Sequence, residues 1–239
     1  MRGGLRAHRA LTSAIGPILA ICCAITGLSG CTAGPSGTKT PQADRPAADP
    51  GPAPVVMIVG DSFTVGSGPV PRWETYAALA AKRLGWQLIT AGAGGTGFVN
   101  KGRVGRDFRE SFERELSWRP APDMVILSGG HNDRRVTPER VHDAASRTIA
   151  AVRATWPRTR IVVVGPIWLR RAPDWAYDVR DAIAAAAEKS KATFLDPLAQ
   201  PMVAGPVKTS VLPDGVHPTH SGHAHLANWL VTALGGSAD

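Results

Sequence analysis

The fold is decided by residues 55–62, which read VVMIVGDS. A run of five apolar residues, most of them β-branched, is typical of a buried strand, and we predict one over residues 55–59. A Gly-Asp-Ser turn follows, since glycine accepts positive φ and Asp or Ser side chains bond nearby backbone amides. Ser62 is therefore expected at the rigid carboxyl end of a strand, which is a suitable position for a nucleophile.

A second segment, near the far end of the chain, indicates that this turn could carry a catalytic serine. Gly-Asp-Ser is ordinary turn sequence and does not by itself indicate a catalytic serine. However, Asp214 and His217 stand three positions apart in a loop that contains Pro and Gly. A serine hydroxyl becomes a good nucleophile when an imidazole takes its proton and a carboxylate orients the imidazole. Ser62, His217 and Asp214 are therefore candidates for a catalytic triad.

Two glycine-containing turns offer donors for the oxyanion that acyl chemistry creates. Residues 93–97 read AGGTG, and residues 129–133 read GGHND. Glycine lets a backbone N–H approach a substrate with no Cβ in the way, and asparagine donates an N–H without adding charge. The residue types of both turns suit an oxyanion hole.

These four segments, in this order, resemble the SGNH, or GDSL-type, hydrolase superfamily. Ser62 matches the family nucleophile, Asn132 matches the asparagine of the third block, and Asp214 with His217 matches the Asp-x-x-His block. Phe63 stands where many members have leucine.

The resemblance also implies an oxyanion hole made of the Ser62 N–H, a glycine N–H and the Asn132 side chain. The glycine of the second block matches Gly95 best, with Gly94 and Gly97 as alternatives.

Apolar runs alternate with segments of helical character along the chain. This alternation predicts parallel βαβ units in a three-layer α/β/α domain, and the family resemblance implies a flavodoxin-like five-stranded parallel sheet. Strands are predicted over residues 55–59, 86–90, 124–127, 161–164 and 193–195, and helices over residues 73–84, 137–155, 175–191 and 221–234.

The amino-terminal segment predicts export. Three arginines precede an apolar stretch from about residue 14 to 28, which is short for a membrane span and suits a signal peptide. Residues 28–31 read LSGC and resemble the bacterial lipobox, in which the cysteine is diacylated and becomes the new amino terminus. We expect a lipoprotein signal peptide over residues 1–30, lipid on Cys31, a tether over 31–54 and the catalytic domain over 55–239. An ordinary cleaved signal peptide is the alternative.

The charge and histidine patterns bear on partners and cofactors. The formal charge is +8, falling to +5 without the three arginines of residues 1–30, which favours an anionic membrane surface. The arginines are scattered and accompany no nucleic-acid-binding motif, so nucleic acid is not expected as a partner. The spacing of the histidines from His217 to His225 matches no closed zinc site. We expect no metal and no cofactor.

Other conspicuous residues have plainer interpretations. Asp61 and Asp133, beside the candidate catalytic positions, are expected to brace their turns by accepting backbone N–H bonds. Trp168 and Trp175 fall in and after the loop that follows the fourth predicted strand, where they either contact substrate or pack in the core.

The sequence thus predicts a monomeric, extracytoplasmic serine esterase or lipase that hydrolyses acyl esters and is held at the membrane by lipid. Acyl transfer, or deacetylation of an envelope glycan or lipid, needs the same residues and stays open. A catalytically silent glycan-binding lipoprotein is a third possibility, which an intact set of block residues disfavours.

Overall fold

Five strands and their connecting helices make up the computed structural model, which describes residues 51–199 and 207–235. The strands are β1 Val55–Gly60, β2 Gln87–Gly92, β3 Met124–Ser128, β4 Arg160–Val164 and β5 Thr193–Leu195. The helices are α1 Ser62–Val65, α2 Tyr76–Leu84, α3 Phe108–Glu115, α4 Pro138–Thr155, α5 Asp174–Lys189, α6 Val207–Ser210 and α7 His220–Ala233, with 3-10 turns at Arg72–Glu74 and His131–Asp133. In these two ranges, no helix is long and apolar enough to span a membrane.

The strands form one parallel sheet in the order β2-β1-β3-β4-β5. This is the flavodoxin-like order, in which ligands bind at the carboxyl ends of the strands near the switch point between β1 and β3. Ile58 in the central strand β1 pairs with Thr90 of β2 and with Ile126 of β3. The predicted three-layer α/β/α fold is confirmed.

Alternate residues of each strand fill two hydrophobic cores, one on each face of the sheet. Met57 and Val59 of β1 face the core formed with α3, α4 and α5. Val56 and Ile58 face the core formed with α2 and α7. Each fully buried aliphatic side chain contributes about 1.5–3 kcal/mol, so both faces hold β1, and the turn that follows it, firmly in place.

The predicted helices lie within one or two residues of the observed ones, apart from one interruption. Residues 73–84 were expected as a single helix, but the 3-10 turn Arg72–Glu74 ends at Thr75, whose backbone is extended at φ −71° and ψ 161°. The α2 helix begins only at Tyr76. The predicted second strand, residues 86–90, is likewise displaced, since β2 begins at Gln87 and continues to Gly92.

The four-residue helices α1 and α6 were not predicted, and neither was the longer helix α3, because its residues are mostly charged. Asp107 caps it in a reciprocal capping box with Glu110, which stabilises a helix start. Phe108 and Phe112, four positions apart, form the buried stripe that attaches it to the core. That pair of aromatic residues is the signal that identifies this helix in the sequence.

The predicted signal peptide, Cys31 and most of the tether lie outside the described residues. The assignments made for residues 1–30 and for the tether up to residue 50 therefore stay predictions.

Candidate active site

Ser62 lies at the sharp turn where β1 ends and α1 begins. A Cβ at position 60 would fall 2.1 Å from the Thr64 hydroxyl oxygen, so only glycine allows this turn. The Asp61 carboxylate accepts the Phe63 N–H at 3.0 Å and caps the helix. The turn fixes the Ser62 side chain with 7% of the residue exposed, at the carboxyl edge of the sheet.

The structure brings the three predicted triad residues together across 155 positions of sequence. His217 Nε2 lies 2.9 Å from Ser62 Oγ, and His217 Nδ1 lies 2.7 Å from Asp214 Oδ2. The other carboxylate oxygen of Asp214 accepts the N–H groups of Val216 and His217 at 2.9 and 3.0 Å. The loop thereby holds its acid and its imidazole in one orientation.

The charge state of Asp214 fixes the roles of the imidazole nitrogens. Partial burial acts to raise the pKa of Asp214, but hydrogen bonds from the His217 side chain and from the His217 and Val216 backbone outweigh it and lower that pKa to about 2. Asp214 is therefore ionised at neutral pH and accepts the proton of Nδ1. Nε2 of the neutral ring is left as an acceptor for the Ser62 hydroxyl.

The glycine turn after β2 narrows the choice of backbone donor. The Gly97 N–H already donates to the Asn100 carbonyl at 2.8 Å, and a Cβ at position 97 would meet the Asp133 carboxylate at 2.6 Å. Gly97 therefore serves packing. Gly94 and Gly95 line the cleft beside Ser62, and their N–H groups have no acceptor within the described part of the chain.

Asn132 reaches the site from the 3-10 turn His131–Asp133, after β3. Its side-chain nitrogen donates to the Thr96 carbonyl at 2.9 Å and to Asp61 Oδ2 at 3.2 Å. Both amide hydrogens thus have protein acceptors. Donation to a substrate oxygen requires the amide to share a hydrogen or to release the longer bond to Asp61.

Two buried carboxylates brace this side of the cleft, as the sequence predicted. Asp133 accepts the backbone N–H groups of Phe98, Val99 and Asn100 at 2.9, 3.1 and 2.9 Å. These three bonds lower the pKa of Asp133, but burial outweighs them and the pKa is raised. The turn that carries Asn132 and the glycine turn after β2 are thereby joined through one side chain.

Asp61 has an unusual proton affinity for a residue next to a candidate nucleophile. Burial raises the pKa of Asp61 from 3.8 to about 7, the Phe63 N–H lowers it, and the nearby charge of Asp133 raises it further. Its carboxyl group therefore changes protonation near neutral pH while in contact with Asn132.

Phe63 and His131 contribute to the site in ways that the sequence did not indicate. The buried Phe63 ring contacts the rings of His217 and His131, with centroids 5.9 and 5.4 Å apart. His131 stacks on Trp168 at 4.0 Å and has a ring nitrogen 3.3 Å from the Ile167 carbonyl. Trp168 therefore packs behind the cleft wall.

His131 is neutral at physiological pH. Burial lowers its pKa to about 4, although the Ile167 carbonyl raises it, and the charges of His217, Arg134 and Arg170 lower it as well. The His131 ring therefore lines the cleft as an uncharged side chain.

Two of the histidines that follow His217 have partners of their own. His223 is buried and accepts the Tyr76 N–H at 3.0 Å, while His220 pairs with Glu74 at 2.8 Å on the surface. In the portion of the chain that the structure describes, no three His, Cys, Asp or Glu side chains converge closely enough to hold a metal ion.

The candidate residues open onto a cleft of about 600 Å³ at the carboxyl edge of the sheet. Its lining consists of Ser62, Gly66, Ser67, Gly94, Gly95, Asn100, Gly102, Arg103, His131, Asn132, Arg134, Val216 and His217.

A parallel α/β sheet with a serine, histidine and aspartate at its carboxyl edge is the architecture of a serine ester hydrolase. The sequence profile of the GDSL-like Lipase/Acylhydrolase family matches residues 58–225. The chain therefore belongs to this family and is a GDSL-type ester hydrolase.

Known proteins agree with this assignment. The GDSL lipase Rv0518 of Mycobacterium tuberculosis (strain ATCC 25618 / H37Rv) is 28% identical over 195 residues, which cover 75% of this chain and 80% of the relative. Est24, a carbohydrate acetylesterase from Sinorhizobium meliloti, superposes with a TM-score of 0.60 at 19% identity, covering 76% of this chain and 98% of Est24. The salicylyl-acyltransferase SsfX3 superposes at 0.61 with 21% identity, over 78% of this chain and 55% of SsfX3. At these identities the two structures show a shared fold.

Proposed function

We propose that the chain hydrolyses carboxylic esters through an acyl-enzyme on Ser62. The observation that carries this proposal is the continuous chain of hydrogen bonds from Ser62 Oγ to His217 Nε2 at 2.9 Å and from His217 Nδ1 to Asp214 at 2.7 Å. A glycan-binding module has no use for a serine that is hydrogen-bonded to an oriented base, so the geometry disfavours the non-catalytic alternative.

The reaction has two halves that use the same groups. Ser62 Oγ attacks the ester carbonyl as its proton passes to His217 Nε2, and the tetrahedral intermediate collapses when the imidazolium returns that proton to the leaving alcohol. Water, deprotonated by His217, then releases the acid and restores the serine. The ionised Asp214 stabilises the imidazolium in both halves.

The oxyanion would be bound from three directions. The N–H groups of Ser62 and Gly95 have no acceptor among the residues that the structure describes, which supports their assignment as donors. Gly94 remains the alternative to Gly95, since both line the cleft. Asn132 would supply the third donor by sharing its amide hydrogens with the substrate oxygen.

The lining of the cleft favours short acyl groups. Val216 is the one aliphatic side chain beyond alanine size among its described lining residues, so a long acyl chain would gain little burial energy there. A cleft of about 600 Å³ with one aliphatic side chain in its described lining suits removal of short acyl groups from a polar alcohol such as a glycan. Transfer of the acyl group to such an alcohol needs the same residues.

A panel of p-nitrophenyl esters from acetate to palmitate tests both parts of this proposal. We expect kcat/KM to be highest for acetate to butyrate and to fall for longer chains. The folded Ser62→Ala variant should lose hydrolysis of every ester, and retention of near-normal rates would refute the proposed mechanism. A maximum at palmitate would contradict the short-chain preference.

We further propose that the domain works outside the cytoplasmic membrane, anchored through Cys31. The support is the LSGC sequence of residues 28–31 after an apolar segment, and the Pro- and Ala-rich stretch that follows it. Two acyl chains suffice for stable membrane attachment. The tether would let the domain move about 25 Å from the surface.

The location is tested by Cys31→Ser in the native host. We expect this variant to leave the membrane fraction for the soluble or secreted fraction while it keeps full activity on soluble esters. Unchanged membrane fractionation would contradict the anchor.

A further inference from the structure

Two arginines line the candidate cleft, and no carboxylate is among its described lining residues. Arg103 and Arg134 line the same cleft as Ser62 and His217. Both arginines are exposed, and within the described residues neither forms an ion pair. Asp214, an exposed acid of the same site, is already paired with His217.

The lack of an ion pair does not by itself distinguish the cleft arginines. Arg106, three positions after Arg103, pairs with Glu115 at 3.2 Å, but the exposed Arg114 and Arg158 also form no ion pair within the described residues. Arg103 and Arg134 differ from these in their position, because they line the cleft that contains Ser62.

The basic surface continues beyond the cleft wall. His131 and Val216 separate the cleft from a small hollow that Arg170 also lines, and Arg170 and Arg171 line the next depression. Asp174 is the one acid that lines that depression within the described residues. Arginines therefore line the cleft and the two depressions next to it.

We propose that this enzyme selects esters that carry an anionic group beside the scissile bond, held by Arg103 and Arg134. The guanidinium group binds carboxylate and phosphate oxygens in a bidentate fork, and no acid of the described lining competes for it. The inference rests on the proposed esterase activity at Ser62 and adds the chemical class of its substrate.

Two matched pairs of esters place the charge on either side of the bond. Monoethyl adipate and its uncharged amide, ethyl adipamate, differ at the end of the acyl group. 4-Acetoxybutyrate and 4-acetoxybutyramide differ at the end of the alcohol. With the full chain in nonionic detergent, we expect kcat/KM to favour the anion in at least one pair by about 5- to 20-fold at low salt. The pair that shows the preference identifies the side on which the anion binds.

The cause is tested with paired variants of equal charge. In Arg103→Gln/Arg134→Gln the ratio of kcat/KM for anion over amide should fall to about 1–2. Arg114→Gln/Arg158→Gln removes two exposed arginines that lie outside the cleft lining, and it should keep the wild-type ratio. In the wild type, 0.5 M NaCl should reduce the ratio several-fold by screening. An equal loss in both double variants would overturn the proposal.

Binding by the Ser62→Ala variant separates this inference from the esterase proposal. If this variant binds the anion more tightly than the amide, the proposed anionic substrate class is supported. If the wild type hydrolyses none of the four esters, the proposed esterase activity is refuted, and the binding result still stands. Hydrolysis of all four esters with no preference for an anion in either pair overturns the anion selection and leaves the esterase activity standing.

Discussion

His217 and Asp214 lie on a surface loop, with 27% and 47% of their side chains exposed, whereas Asn132 and the glycine turn rest on two carboxylates that are almost completely buried. The base and its acid are neighbours in sequence and need few contacts with the domain. The oxyanion side joins three distant turns through Asp61 and Asp133. This contrast indicates that the proton-transfer groups are nearly independent of stability, while the oxyanion side couples catalysis to folding.

The largest effect is expected on the proton-transfer side. Ser62→Ala and His217→Ala should each lower kcat by roughly 10³-fold or more, and the double variant should be little worse, because members of a triad act as one unit. Each change should alter the free energy of unfolding by less than about 1 kcal/mol. Steady-state kinetics with urea unfolding checks both statements, and additive losses in kcat would argue against a triad.

Asn132→Ala tests whether the opposite side takes part in the chemistry. Loss of one oxyanion donor should lower kcat by on the order of 10² to 10³. Stability should also fall, since Thr96 and Asp61 lose their donor. Asn228→Ala, on helix α7 and outside the cleft lining, serves as the control and should keep full kcat. If Asn132→Ala also keeps full kcat, the role of Asn132 is structural and not catalytic.

Asp133→Ala tests the bracing of the two turns. It leaves one buried and two partly buried N–H groups without their acceptor, so we expect the free energy of unfolding to fall by about 2–4 kcal/mol. Asp178→Ala, at an exposed position of α5, should change it by less than about 0.5 kcal/mol. Equal stability of the two variants in urea would show that Asp133 does not join the turns.

The last effect is spread over several pH units and concerns the pH dependence of stability. Asp61 has a pKa of about 7 in the fold against an ordinary 3.8, so the folded state binds more protons between these values. The stability that comes from the higher proton affinity of Asp61 in the folded state is therefore fully present below pH 4. It is lost as the pH rises towards 7, by at most about 1.4 kcal/mol per pH unit. Asp61→Asn should gain stability relative to wild type across this window. Parallel stability curves for the two proteins would contradict the raised pKa.

The triad was predictable because its chemistry needs few residue types, and because the order of the four sequence blocks resembles that of the GDSL-type family. Ser62 followed an obvious strand, and Asp214 and His217 were three positions apart in a loop. The sheet followed equally directly, since β1, β3 and β4 are apolar runs rich in β-branched residues.

The oxyanion side was harder to predict because it depends on where individual N–H groups point. Gly97 remained an alternative in the sequence, and only its bond to the Asn100 carbonyl removes it. The contact between Asn132 and Asp61 spans 71 positions and has no sequence pattern of its own. Neither property follows from residue type.

The central claim, that His217 activates Ser62 as a nucleophile, is tested most directly by mapping the adduct of a fluorophosphonate probe by peptide mass spectrometry. We predict one adduct per chain, on Ser62, with a rate that falls at least about 10²-fold in His217→Ala. Absence of an adduct, modification of another residue, or an unchanged rate in His217→Ala would contradict the claim.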